Sequence, residues 1–235
     1  MPRLRPVIAL LVVLVALTSC TDKKPKTNGN QAAGDLPAGD SLLKDSAAAM
    51  RDIKTAKFLI TADGAVAGLN LRRAEGTLTK EGNAQGTAQI DQAGLNVELT
   101  FVIVGDKIYL KGPTGGYQTL PLALAASVYD PSAILDPDRG IAKVLSTAAD
   151  PKTEAKEAVD GKDAWRVAAK MSANDLVTIV PGVTGAVPGK LWISTSDKRL
   201  LKAAFTVPDV GDTKGGTVTV TFKEFDAPAT ISAPA

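Results

Sequence analysis

Residues 95–103 read LNVELTFVI. The odd positions, Leu95, Val97, Leu99, Phe101 and Ile103, are all apolar. The even positions begin with Asn96, Glu98 and Thr100. In an extended chain successive side chains point to opposite sides, so this alternation predicts a strand with one apolar face. The same period returns along the chain. Phe58, Ile60 and Ala62 alternate with Lys57, Leu59 and Thr61. Trp165, Val167 and Ala169 alternate with Arg166, Ala168 and Lys170, and Val218, Val220 and Phe222 with Thr217, Thr219 and Thr221. Turn-forming pairs separate the runs: Gly82-Asn83, Gly105-Asp106, Asp160-Gly161, Asp197-Lys198 and Gly215-Gly216. About ten short strands, mostly joined as hairpins, are expected, and with them one large curved antiparallel sheet.

Helical patterns interrupt the strands. Asp40 or Ser41 is a candidate cap for a helix running to about Ala56, with Leu43, Met50 and Ile53 as its buried stripe. A second helical region covers Leu120–Ala149, where Asp130-Pro131 and Asp136-Pro137 read as caps followed by proline at the first helical position. A third runs from Ser172 as cap to Val180, stopped by Pro181. Helices on one face of an antiparallel sheet give the α+β class. A sheet this long can curl into a half-barrel with the helices on its concave face. The inward residues are mainly Ala, Val, Leu and Ile, which suit a tight aliphatic core and also a roomy apolar hollow. Periodicity alone favours the core.

The chain begins with Arg3 and Arg5, an unbroken apolar run from Val7 to Leu17, and the small pair Thr18-Ser19. That layout predicts a signal peptide over residues 1–19. The run is 11 residues long, against roughly 20 for a membrane span. Leu17-Thr18-Ser19-Cys20 matches the bacterial lipobox, in which the cysteine receives diacylglycerol and becomes the mature N-terminus. Cys20 is the only cysteine of 235 residues. Two acyl chains hold a protein stably on a membrane where one is marginal. Residues 20–39 then read as a flexible lipidated tether, rich in Lys, Asn, Gly and Pro, ahead of a domain over residues 40–235.

Composition narrows the function classes. There is no histidine, so zinc, haem and Ser-His-Asp chemistry lose their usual groups. The formal charge of +2 equals the contribution of Arg3 and Arg5, so the mature chain is near neutral. That balance argues against a nucleic-acid partner, which calls for a basic surface. Gly112-Pro113-Thr114-Gly115-Gly116 lacks the Gly-Lys ending of a phosphate loop and reads as a hairpin connection. Glu154 and Glu157, interleaved with Lys152 and Lys156, read as a solvated strand face. Asp136 and Asp138 fit helix capping better than metal binding.

The stretch Tyr129–Ser146, YDPSAILDPDRGIAKVLS, resembles the mycobacterial LppX/LprA/LprF/LprG lipoprotein family, its LprG branch above all. Other agreements follow in chain order: the lipobox, an Ala-rich first helix, Ala65–Leu69, Phe101–Val104 ahead of Ile108-Tyr109, and Val187-Pro188 ahead of Leu191-Trp192-Ile193. Together they cover essentially the whole chain. The resemblance implies a half-barrel sheet with helices on its concave side, enclosing a large hydrophobic cavity, and so favours a hollow over a filled core. It implies a carrier without catalysis or cofactor, anchored as a monomer on the extracytoplasmic face of the plasma membrane. Its cargo would be multi-acylated lipid or glycolipid, such as triacylated glycolipid or triacylglycerol, moved across the cell envelope beside a major-facilitator export pump. The lining would then come from Ile60, Leu78, Ala88, Ile90, Val97, Leu99, Phe101, Ile103, Trp165, Val167 and Val220 on strands. Leu124, Ile134, Leu135, Val144 and Leu145 would join them from the helices, with Ala88 near the mouth. Each of these positions serves equally well in a packed core. The competing reading is an accessory lipoprotein with a filled core, docking on a transporter or envelope enzyme.

Overall fold

The alternation at residues 95–103 is one strand of an eleven-stranded antiparallel sheet in the computed structural model. The structure describes residues 36–235 apart from 65, 67, 68, 93, 127–132, 178, 181, 182, 210, 212 and 213. The expected signal peptide, Cys20, the tether up to residue 35, Asp130-Pro131 and Pro181 lie outside the described residues. In chain order the elements are α1 (Gly39–Arg51), β1 (Thr55–Gly64), β2 (Leu71–Thr79), β3 (Ala84–Gln92), β4 (Leu95–Val104), β5 (Lys107–Lys111) and β6 (Gln118–Pro121). Then come α2 (Leu122–Ala126), α3 (Ile141–Thr147), β7 (Ala149–Val159), β8 (Lys162–Met171), α4 (Ala173–Leu176), β9 (Val187–Ser194), β10 (Leu200–Val207) and β11 (Gly216–Phe225).

The spatial order is β6-β5-β4-β3-β2-β1-β11-β10-β9-β8-β7. Two meanders, β1–β6 and β7–β11, therefore meet along one seam, where the first strand pairs with the last. All five expected turn pairs fall at strand connections. The sheet is curved and unclosed. Register shifts at Lys57/Phe58, Leu71/Arg73 and Leu200/Lys202 mark bulges, which bend strands and increase their twist.

The helices lie on the concave face and share one core with its inward residues. α1 buries Leu42, Leu43, Ala47 and Met50, and α3 buries Ile141, Ala142, Val144 and Leu145. The two helices pack on each other, and α1 also reaches β7 and β9. Beneath them Val167, Leu191, Ala203 and Phe205 are fully buried. The wing formed by β7–β11 is thus a filled core.

Helix boundaries differ from expectation. α1 stops at Arg51, because β1 begins at Thr55 and the chain must turn first. Ile53 is buried in that turn and not on the helix. Neither Asp40 nor Ser41 caps α1: the N-cap is Ala38, without a side-chain bond. Leu120 and Pro121 belong to strand β6, where an edge position tolerates a proline that cannot donate to a ladder. Asp136 does act as a cap. Its Oδ1 accepts from the backbone N–H of Asp138 at 2.8 Å and of Arg139 at 3.0 Å, but it opens a single turn rather than a long helix. Ser172 caps α4 by accepting from the Asp175 N–H at 3.2 Å, and that helix has only 4 residues.

Candidate functional site

On the wing formed by β1–β5 the concave face is not filled. Ladder register aligns side chains into rows across the strands. One row runs Phe58, Gly76, Gly86, Phe101, and the next runs Ile60, Ala74, Ala88, Leu99. Large residues stand on β1 and β4, and only Gly and Ala lie between them on β2 and β3. A trough is the result. It holds a hollow of about 280 Å³, and Ile134 and Ile179, from the connections after α2 and α4, also line it. Asn70 is the one polar residue among those lining it.

The deep end is the row Leu78, Ala84, Ile103 and Ile108, all buried. Toward the other end of the strands the lining becomes accessible: Leu69, Leu71, Ile90 and Leu99 are half-buried and Asn70 is exposed. β5 ends at Lys111 and pairs with β4 only from Thr100 to Val104, so the Leu95–Leu99 edge of β4 has no neighbour in β5. The hollow is therefore a pocket closed at one end and open at the other. Nothing in it supplies an acid, a base or a charge. Its chemistry is removal of apolar surface from water.

Ile60, Leu78, Ala88, Ile90, Leu99, Phe101, Ile103 and Ile134 line the hollow. Val97 is on the same inner face, half-buried, one step beyond Leu99. Val220 pairs with Ile60 at the seam and belongs to the buried core. Trp165 and Val167 face inward on β8 but lie on the filled wing, with Trp165 half-buried. Leu135, Val144 and Leu145 are buried core residues. Leu124 sits on α2 at the surface, 68% exposed. Ala74, Ala84, Leu71, Ile108, Leu110 and Ile179 line the hollow without having been anticipated. The signal for the floor was present: Ala74 and Gly76 in β2, and Gly86 and Ala88 in β3, are small residues at a period of two.

The connection carrying Ile179 is pinned by a carboxylate. Asp175 Oδ2 accepts from the Ser172 hydroxyl at 2.7 Å and from the Thr147 hydroxyl at 2.9 Å, tying the end of α3 to the start of α4. The Ser172 bond, with help from Thr147 and the Lys143 charge, lowers the Asp175 pKa against an opposing effect of burial. A carboxyl whose pKa is lower folded than unfolded contributes stability that is full above about pH 4 and is lost as pH falls through the folded value. Thermal unfolding of Asp175→Asn is expected to show a lower Tm than wild type at about pH 7, and a gap that narrows toward about pH 3. An equal gap at both pH values would show that the clamp is not electrostatic.

Glu154, Glu157 and Asp136 are engaged in ion pairs or a cap away from the hollow. Arg166 reaches Glu154 at 2.9 Å and Glu157 at 2.8 Å on the outer face. Asp136 is held low by the Asp138 backbone N–H and then by Arg139, as its capping role requires. No helix among the described residues is long and apolar enough to cross a membrane.

Comparison with known proteins agrees with this geometry. The chain is 32% identical over 232 residues to the lipoarabinomannan carrier protein LprG of Mycolicibacterium smegmatis, covering 97% of this chain and 94% of that one. It is 32% identical over 248 residues to the protein of the same name from Mycolicibacterium hassiacum, covering 99% and 98%. The crystal structure of LprF from Mycobacterium bovis superposes with a TM-score of 0.72 at 26% identity, covering 84% of this chain and 97% of that one. The lipoprotein LppX of Mycobacterium tuberculosis shares the fold with a TM-score of 0.62 at 17% identity, over 83% and 100%. The LppX_LprAFG lipoprotein model matches residues 38–231, from the start of α1 to the tail beyond β11, and the chain belongs to that family.

Proposed function

We propose that this protein is an envelope lipoprotein that binds acylated lipid or glycolipid in the hollow of its β1–β5 wing and carries it across the cell envelope. Cys20, diacylated, anchors it to the extracytoplasmic face of the plasma membrane. The observation that carries this reading is the unfilled trough over Ala74, Gly76, Gly86 and Ala88. At ~24 cal/mol per Å³ of empty apolar volume, a hollow of this size forgoes up to about 7 kcal/mol of packing, comparable with the net stability of a domain. A bound acyl chain returns that energy, at about 0.8 kcal/mol for each methylene taken from water.

The names of the relatives, lipoarabinomannan carrier proteins, support a glycolipid cargo. At about 280 Å³ the hollow stands just below the ~300–1,000 Å³ typical of pockets for drug-sized ligands. Multi-acylated cargo therefore requires the wing to widen on loading, or leaves one or more chains outside the mouth. Catalysis has no part in this function, and the partner expected to drive export is a major-facilitator pump.

Native mass spectrometry of residues 21–235, exported from an actinobacterial host, tests the reading. Discrete added masses that extract into organic solvent as acylated lipid are expected. A single unliganded mass, unchanged after incubation with glycolipid and triacylglycerol, would leave an accessory lipoprotein as the better account.

A further inference from the structure

Antiparallel pairing throughout decides which connections share an end of the sheet. The β1–β2, β3–β4, β5–β6, β8–β9 and β10–β11 connections lie at one end, and β2–β3, β4–β5, β7–β8 and β9–β10 at the other. The first end holds the mouth of the hollow, because Leu69, Asn70, Leu71 and Ile90 are there. It also holds the point where the tether joins. Gly39, opening α1, packs so closely on the start of β7 that a Cβ on it would lie 2.7 Å from the Pro151 carbonyl oxygen. Thr153 donates to the Pro37 carbonyl beside it at 2.7 Å.

The two ends differ in charge. The connections 65–70, 93–94 and 112–117 at the mouth end contain no charged residue, and 172–186 contains only Asp175, already clamped. Asp209, Asp212 and Lys214 in the last connection complete the set. The short turns at the opposite end carry Lys80, Glu81, Asp106, Asp160, Asp197, Lys198 and Arg199. The mouth end exposes apolar side chains at three separate places, Leu95 at the start of β4 at 69%, Val177 after α4 at 45% and Tyr117 before β6 at 37%, while Leu124 is exposed at the other end. Scattered exposed leucines are ordinary, but an end whose connections are depleted of charge and that also bears the mouth and the tether is not.

We propose that this end docks directly on the surface of a lipid bilayer, mouth first, with Leu95, Tyr117 and Val177 seated among the head groups. The occupant follows from where the chain enters the domain. The composition of residues 20–38 predicts a tether spanning about 25 Å at ~5–6 Å × √n, and the chain enters the domain at the docking end, so the anchored domain needs no reorientation to reach its own membrane. Acyl chains then pass between bilayer and hollow without crossing water. The exposed charges on the strand ends there are paired, Arg72 with Asp91 at 3.1 Å and Lys170 with Asp150 at 3.1 Å, so binding is mainly apolar and only weakly affected by salt. The anchoring at Cys20 and the use of the mouth rest on the carrier reading; the contact itself is measured separately.

The test uses full-length, lipidated protein in phosphatidylcholine vesicles containing a few per cent of doxyl-labelled phosphatidylcholine. Single cysteines replace Leu95, Val177, Leu124 or Glu81 in turn and carry an environment-sensitive fluorophore. Quenching at positions 95 and 177 is expected to exceed that at 124 and 81 at least twofold, and to persist in high salt. Leu124 is the decisive control, since it is as exposed as Leu95 but lies on α2, which starts beside the β4–β5 turn at the charged end. Quenching at 95 and 177 must also survive Ala88→Trp, which fills the hollow. If it disappears in that background, the label was meeting labelled lipid taken up as cargo, and docking is overturned. Equal quenching at all four positions overturns it too. Extracted lipid, weighed from the same preparations, reports on the carrier reading independently of either result.

Discussion

Ala88→Trp is expected to lower cargo uptake tenfold or more while the domain stays folded. Ala88 lines the trough between Ala74 on β2 and Leu99 on β4, and it is half-buried, so a larger side chain has an open side to grow into. An indole laid there occupies the space over Ala74 and Gly76. Excluding two methylenes of cargo costs about 1.6 kcal/mol, already more than a factor of ten in affinity. The measurement is lipid recovered per mole of protein, with Tm recorded on the same sample. An unchanged lipid load with the Trp in place would mean that cargo does not enter the trough.

The second large effect runs against the usual rule. Glycine inside a strand is normally a weakness, so replacing it by alanine gains about 0.5–1 kcal/mol. Gly86→Ala is expected to do the reverse. A Cβ at Gly86 would collide with the Glu75 carbonyl and stand 2.8 Å from the Gly76 Cα, and one at Gly76 would collide with the Gln85 carbonyl. Both contacts are backbone, which cannot swing aside. β2 and β3 would have to separate at the floor of the trough, with a loss of about 3 kcal/mol and some 6–12 °C in Tm. Gly116→Ala, in the β5–β6 connection where an added Cβ meets nothing within 4 Å, serves as control and should be neutral. If Gly86→Ala is also neutral, the close crossing of β2 and β3 does not hold in solution.

The strands were legible because one-sided burial leaves a period-two record. Val97, Leu99, Phe101 and Ile103 face inward as their alternation requires, with Leu95 at the exposed start of the strand, and so do Trp165, Val167 and Val220. Inward is not the same as lining a cavity, and here the sequence is silent. Val167 and Ile60 carry similar side chains at similar strand positions, yet helices α1 and α3 cover the wing of the first and the second lines the hollow. Which wing the helices cover is a long-range choice, made by contacts such as Gly39 on Pro151 that no local pattern records. β6 was missed because Gln118–Pro121 is a 4-residue edge strand ending in proline. Of the floor only Ala88 was anticipated, because Gly and Ala are judged by what they fail to fill.

The seam between β1 and β11 bears on how the protein is made. Ala56 pairs with Phe225 and Gly64 with Gly216, so the two meanders cannot join until nearly the whole chain exists. During synthesis β1 has a free edge, and the trough over β2 and β3 still lacks Ile179 and Val218 from its lining. Such distant pairing places the domain among slow folders, on the order of milliseconds to seconds. Any chain cut short before Gly216 keeps both edges open and is a substrate for proteases or aggregation rather than a smaller carrier. The last ten residues of the sheet thus act as a completeness check on everything made before them.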